Sequence, residues 1–309
     1  MRRHLDRRMK LRLLRAAEAI AAQGSILGAS RTLGITQPAV TRSLQELEAT
    51  LELPLFERGG RGVQPTAAGE AVAQAASRIF GELRRLESVL DGLAGEAEEH
   101  VILGALPVAA AGVLPGVLGR LRTERPALAV QLVQGRTEEL LPRLAAGELD
   151  LVVGQLYPPE RPDGLVREAL YEEPIAVLAR AGHPIFARPV TAAALRGHEL
   201  VLPSISQRVG QEIDRLLAIL GLTAATSVRS TSYGFIREML LSTDFVSVMP
   251  DMLMAGDLLR GTIRAAPLPV PAEPRRAGLI WREAAPPSRA AQRLVEVLRR
   301  YVAEIAARD

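Results

Sequence analysis

The residues best equipped for chemistry in this 309-residue chain hydrogen-bond rather than react. In the stretch TQPAVTRSLQELEATL, Thr36 to Leu51, a helical advance of 100° per position gathers Pro38, Thr41, Arg42 and Gln45 on one side, with Gln37 at the mouth. Val40, Leu44, Leu47 and Leu51 fall on the other side. Glutamine can bind adenine bidentately, arginine can address guanine or a phosphate, and Thr41 or the surface of Pro38 and Ala39 can meet a thymine methyl. That chemistry is the reading of DNA base edges from a major groove. A surface helix with an ordinary solvated face fits the same residues equally well.

Other chemistries lack their residues. With no cysteine there is no disulfide, thiolate metal site or cysteine nucleophile. His4, His100, His183 and His198 are scattered without the spacing that helix-borne metal sites use, so no metal and no cofactor is expected. Pyridoxal chemistry needs a lysine in its large domain, and the only lysine is Lys10. No G-x-S-x-G elbow or P-loop is present, and no catalytic residue is assigned.

Short helices must position the groove-reading face. Met9 to Ala22 is apolar at helical spacing and Gly24 stops it. Ser25 then caps a short helix, GI at 34 and 35 makes a turn, and Thr36 is the expected N-cap of the next helix, with Pro38 tolerated in its first turn. Helix, short helix, glycine turn, helix is a helix-turn-helix pattern. LPLFERGGRGVQPT then reads as a β-wing, whose Arg58 and Arg61 suit backbone phosphates. Residues 1–66 hold 11 Arg/Lys against 6 Asp/Glu, a basic module on a mildly acidic body, which fits a polyanionic partner for that module alone.

Thr66 caps a long helix in which Val72, Ala76, Ile79, Leu83, Leu86, Leu90 and Leu93 repeat at spacings of 4 and 3. A strict heptad of this kind is expected to pair with a second copy, although an intramolecular packing stripe would also satisfy it. From His100 onward short β-like runs alternate with helices, as in an α/β sandwich with largely parallel central strands, and its length calls for two lobes. PLPVPAEPRR, 267 to 276, reads as a connection. No apolar run is long enough to span a membrane. Arg12, Arg15 and Glu18 interrupt the basic N-terminus before a signal-peptide core can form, so a cytoplasmic location is expected.

The segment ILGASRTLGITQPAVTRSLQELEATLELPLFERGGRGVQPTAAGE, 26 to 70, closely resembles the winged helix-turn-helix of LysR-type transcriptional regulators. The resemblance lies in the QPAVTRSL-like helix, LFER, the wing and T-x-x-GE. GALPVAAAGVLPGVL and AGELDLVVG extend it over nearly the whole chain, whose style is similar to the branch of galactose and protocatechuate regulators. The resemblance implies a winged helix-turn-helix over residues 1–65, a dimerising linker helix over 66–95, and a two-lobed effector domain like a periplasmic binding protein over 96–309. Lobe 1 would span about 96–167 and 268–309, and lobe 2 about 168–267.

Carried over residue by residue, the implied effector site comprises Leu106, Pro107 and Val108; Thr137; Gln155; Pro203 and Ser204; and Ser230 with Ser232. Many family members carry a hydroxyl where Val108 stands, so known ligands do not transfer simply. The serines suit helix caps as well as ligand contacts. A small anionic or polyhydroxylated effector is expected, with Arg136 or Arg208 as a carboxylate partner. The further implied partners are a double-stranded operator built as an interrupted inverted repeat, RNA polymerase, and the chain itself as a dimer and as a tetramer of paired dimers. The rival readings are an architectural DNA-binding protein without a ligand, and a helix-turn-helix fused to a solute-binding or enzymatic domain.

Overall fold

The computed structural model describes residues 9–59, 62–93, 100–159, 162–206, 208–222, 228–271, 273 and 275–307. The chain divides into two compact units, one of residues 1–97 with 145–148, the other of 98–144 and 149–309. Among the described residues no helix is long and apolar enough to cross a membrane.

The first unit opens with α1 (Leu11–Gln23), α2 (Ile26–Leu33) and α3 (Gln37–Leu51). Gly24 and Gly34 adopt left-handed φ of 59° and 65°, a conformation that favours glycine, and so end α1 and α2 in tight turns. Ser25 Oγ accepts from Gly28 N at 3.2 Å and caps α2. Thr36 is the N-cap of α3, as expected, with the extended backbone of that position, although its side chain makes no capping hydrogen bond. Pro38, whose missing N–H would have no intrahelical partner there, occupies the first turn. Val40, Leu44, Leu47 and Leu51 bury against Leu13, Ala17 and Ile20 of α1, which fixes the helix by its apolar side.

The wing is the antiparallel pair β1 (Phe56–Gly59) and β2 (Gly62–Pro65). Glu48 Oε1 accepts from Leu55 N at 2.7 Å and so holds the turn that leads from α3 into the wing. Val63 N donates to Gly24 O at 2.9 Å, tying the wing back to the α1–α2 turn. Thr66 Oγ1 accepts from Gly69 N at 3.1 Å and caps α4 (Ala67–Leu93) as the sequence predicts. A Cβ on Gly69 would lie 2.0 Å from Leu55 O, so the T-x-x-G motif is a close approach of helix to wing.

Among the described residues the second unit has three sheets, one in lobe 1 and two in lobe 2. In lobe 1, β3 (His100–Ala105), β4 (Ala129–Gln134), β5 (Leu151–Gln155), β6 (Leu165–Glu172) and β12 (Arg276–Arg282) pair in the order β4-β3-β5-β12-β6. β3 is parallel to β4 and β5, whereas β12 is antiparallel to β5 and β6. In lobe 2, β7 (Ile175–Arg180) pairs antiparallel with β10 (Ser247–Pro250) and β11 (Ile263–Pro267), while β8 (Val201–Pro203) runs parallel to β9 (Val228–Ser230). The expectation of largely parallel strands is therefore half right. The departure follows from chain path: β12 re-enters lobe 1 from lobe 2 and must run against its neighbours.

Helices cover the sheets: α5 (Leu114–Glu124) follows a π-helical turn at Ala109–Val113, then come α6 (Thr137–Ala145), α7 (Ala192–Arg196), α8 (Arg208–Ile219), α9 (Tyr233–Ser242), α10 (Ala255–Arg260) and α11 (Arg289–Ala306). The chain leaves lobe 1 after Glu172 and returns just before Arg276, so the crossovers lie several residues beyond the expected limits near 167 and 267. Glu173 N donates to Arg275 O at 2.8 Å, binding the two crossovers side by side.

Candidate functional site

The groove-reading face stands clear of the core. Thr36, Gln37, Pro38, Arg42 and Gln45 are exposed, and Thr41 is half-buried. Thr41 Oγ1 donates to Gln37 O at 3.1 Å, and Arg42 Nε donates to Pro38 O at 3.4 Å. The arginine is thus braced along the helix, and its terminal nitrogens have no ion-pair partner among the described residues. Lys10 and Arg12 bond Glu46 at 2.9 and 2.6 Å, fastening the start of α1 to α3 behind that face. Arg58 belongs to β1, but its side chain and the whole of Arg61 lie outside the described residues.

The heptad residues of α4 divide. Ala76 is fully buried with Leu14 and Phe80, and Val72 and Leu83 pack beside them, so this part of the stripe serves the chain's own core. Ala76 is accordingly corrected from a pairing position to an internal one, because α1 already covers it. Ile79, Leu86 and Leu90 are 40%, 52% and 53% exposed. The side chain of Leu93 lies outside the described residues.

In the second unit a cavity of about 560 Å³ opens between the lobes. Leu106, Pro107, Val108, Thr137 and Gln155 line it, as do Arg136 and Arg208. Pro203, Ser204, Ser230 and Ser232 do not line it, which corrects the expected lobe 2 wall. Pro203 is buried in β8, Ser204 Oγ bonds Ser206 Oγ at 3.0 Å, Ser230 Oγ accepts from Ser232 N at 3.0 Å, and Ser232 Oγ caps α9 by accepting from Phe235 N at 3.2 Å. The hydroxyls serve turns and caps. Instead, the wall includes Ser206, Val209, Tyr233 and the crossover residues Glu173 and Arg275.

At the cleft floor Arg275 ties the lobes together. Its Nη2 donates to Gln155 Oε1 of β5 at 3.0 Å and its Nη1 to Glu212 of α8. Gln155 Oε1 also accepts from Tyr157 Oη at 2.5 Å, and the Arg208 guanidinium stacks over the Tyr157 ring at 4.6 Å. Glu173 has no exposed surface and stands 3.8 Å from Arg275. Burial pushes its carboxyl up to about 7, against the pull of Arg275 and with a further push from Asp251. Burial likewise pushes the Tyr233 hydroxyl up to about 12. Sequence reading missed Glu173, Tyr157, Tyr233 and Arg275. Arg275 sits in the proline-dense stretch read as a connection, and only the return of the chain to lobe 1 gives it a place in a site.

A smaller cavity of about 340 Å³ includes Gly112, Arg237, Asp257, Arg260 and Tyr301. Its arginines are engaged, because Arg237 and Arg260 clamp Asp257 at 2.7 and 3.0 Å. Among the described residues no cluster could hold a metal ion.

A helix-turn-helix with a wing and a long helix, together with a two-lobed unit enclosing a polar cleft, defines a ligand-responsive DNA-binding regulator. Residues 11–70 match the model of the bacterial regulatory helix-turn-helix protein, lysR family, and residues 94–303 match the LysR substrate binding domain, so the chain belongs to the LysR family of transcriptional regulators. It is 32% identical to the regulator GalR of Pseudomonas putida over 276 residues, 89% of this chain and 70% of that one. It is 29% identical to PcaQ of Agrobacterium fabrum over 97% of each chain. Among solved structures, a full-length OxyR from Pseudomonas aeruginosa shares the fold at a TM-score of 0.62, with 24% identity over 95% of this chain and 94% of that one. Full-length CbnR in complex with its target DNA does so at 0.60, with 23% identity over 95% and 100%. The relatives are regulators, not enzymes.

Proposed function

We propose that this LysR-family regulator reads an interrupted inverted repeat through the exposed face of α3, with Gln37, Arg42 and Gln45 addressing base edges and Thr36, Pro38 and Thr41 completing the surface. The wing arginines Arg58 and Arg61 hold phosphates and add affinity without sequence information. Two chains pair along α4, through the exposed Ile79, Leu86 and Leu90 and through Leu93 of the same heptad, and pairs of dimers form the tetramer. A small effector enters the inter-lobe cleft in the cytoplasm and shifts the assembly between states that present the DNA heads, and RNA polymerase, differently.

The observation that carries this reading is that α3 buries one apolar face completely and leaves a polar face of groove-reading residues uncovered. A good base contact contributes about 1–3 kcal/mol of discrimination. Arg42→Ala should therefore weaken binding to an operator selected from random DNA by roughly 5- to 150-fold while the oligomer persists. Equal operator affinity of the two proteins in a titration would remove Arg42 from the interface.

A further inference from the structure

The floor of the cleft holds two polar groups that the fold leaves incompletely paired. Arg275 carries five N–H donors, of which one meets Glu212 and one meets the neutral oxygen of Gln155. Its Nε is buried without a hydrogen bond. Opposite it, both carboxylate oxygens of Glu173 are buried without a hydrogen bond, although Arg275 is only 3.8 Å away. Groups in that condition are rare in folded proteins because each costs free energy until a partner arrives. Both residues line the cavity and both sit on the crossovers between lobes.

The surroundings of Glu173 come from every side. Tyr171 on β6 turns a buried hydroxyl toward Glu173 that falls short of a well-formed hydrogen bond yet pulls its carboxyl downward, Asp251 follows β10, Glu212 stands on α8, Tyr233 on α9, and Arg275 on the return crossover. Arg275 is the one cation in this set. Beside its ion pair to Glu212, the Arg275 guanidinium has Nη2 tied only to a neutral amide oxygen, and an entering carboxylate, with a full negative charge and a geometry that matches the arginine fork, is the stronger acceptor for it. Adding that negative charge beside an ionised Glu173 would leave two adjacent carboxylates in a buried site, which favours a proton on one of them.

Resting on the reading of the cleft as the effector site, we propose that the effector is a small oxyanion, typically a carboxylate, that Arg275 is its charge partner, and that it is taken up with one proton from solvent, which Glu173 receives. No bond other than the new O–H on Glu173 is formed, and no electron moves. Gln155, released from Arg275, reports ligand to β5 of lobe 1, and Glu212 holds the same guanidinium to α8 of lobe 2.

The test is calorimetric titration of the full-length protein with acetate, benzoate and inorganic phosphate, using glycine, glycerol and glucose as comparators, in two buffers of different ionisation heat. For a bound anion the dissociation constant should weaken about tenfold from pH 6 to pH 8, with close to one proton taken up at pH 8 and almost none at pH 6. Glu173→Gln should abolish both the slope and the proton uptake while still binding the anion at pH 8. Arg275→Gln should lose at least tenfold in affinity at every pH, and circular dichroism would show that it is folded. A flat profile for the wild type, or a slope that survives in Glu173→Gln, overturns the proposal. Failure of every anion at millimolar concentration overturns it as well. Binding of glycerol or glucose alone, or of glycine without proton uptake, leaves an effector cleft in place but refutes a proton-coupled oxyanion site. Operator binding by α3 is measured separately and fails or stands on its own.

Discussion

Glu173 and Asp257 are both buried carboxyls, and their surroundings drive them in opposite directions. Glu173 binds its proton up to about pH 7 in the folded chain, against an ordinary value of 4.5. Between those values the native state holds a proton that the unfolded chain releases, so its contribution is fully present below pH 4.5 and is lost as pH rises through 7. The loss amounts to about 3 kcal/mol by linkage. Denaturant titrations should show Glu173→Gln gaining stability over the wild type at pH 8 but not at pH 4.5. For Asp257, burial pushes upward, yet hydrogen bonds from Arg237, Arg260 and Thr262 hold it at about 2, against 3.8. Its contribution is present above pH 3.8 and is lost as pH falls through 2. Asp257→Asn should cost about 2 kcal/mol at pH 7 and little near pH 2, measured in the same way. The groove residues were legible in the sequence because Gln37, Arg42 and Gln45 share one local helix. Arg275 was not, since it meets Gln155 across 120 positions and no local pattern encodes that meeting.

At the scale of elements, α4 carries two overlapping apolar faces that a single heptad had merged. Phe80 lies outside the expected stripe yet is 2% exposed, with the Arg15 guanidinium 4.1 Å above its ring. The turns that begin the helix therefore belong to the DNA-binding unit, and only the later positions offer apolar surface to a partner. Phe80→Ala should destabilise that unit by about 3–5 kcal/mol, the usual cost of emptying a buried aromatic site, and thermal melting would record it. Leu86→Asp with Leu90→Asp should leave the melting of that unit near the wild type while sedimentation reports monomers. A persisting dimer in the double variant would place the pairing surface elsewhere. β6 escaped the sequence reading for a related reason. LVREALYE is an edge strand of mostly half-buried positions, including Arg167, and it lacks the clean alternation that marks a strand. The inner strands β5 and β7, almost wholly buried, read as continuous apolar runs and were plain.

At the scale of the whole molecule, a regulator of this kind works only if the effector changes the relation between lobes, and one backbone contact measures how closely they are now set. A Cβ added to Gly112, in the π-helical turn of lobe 1, would lie 1.8 Å from Met252 O of lobe 2. That separation is far inside any real contact, and the obstacle is a backbone carbonyl rather than a flexible side chain. Gly112→Ala must therefore push the π-helical turn of lobe 1 away from Met252 of lobe 2, and it is expected to move one lobe against the other without altering a cleft-lining residue or α3. If effector and operator are linked through lobe geometry, the variant should change effector affinity by the 5- to 150-fold typical of a coupling of about 1–3 kcal/mol. Its footprint should keep the protection within each half-site, where α3 alone acts, and alter it between half-sites, where the assembly sets the spacing. An effector titration and a footprint both identical to the wild type, from a variant whose melting confirms that it is folded, would mean that lobe geometry does not carry the signal.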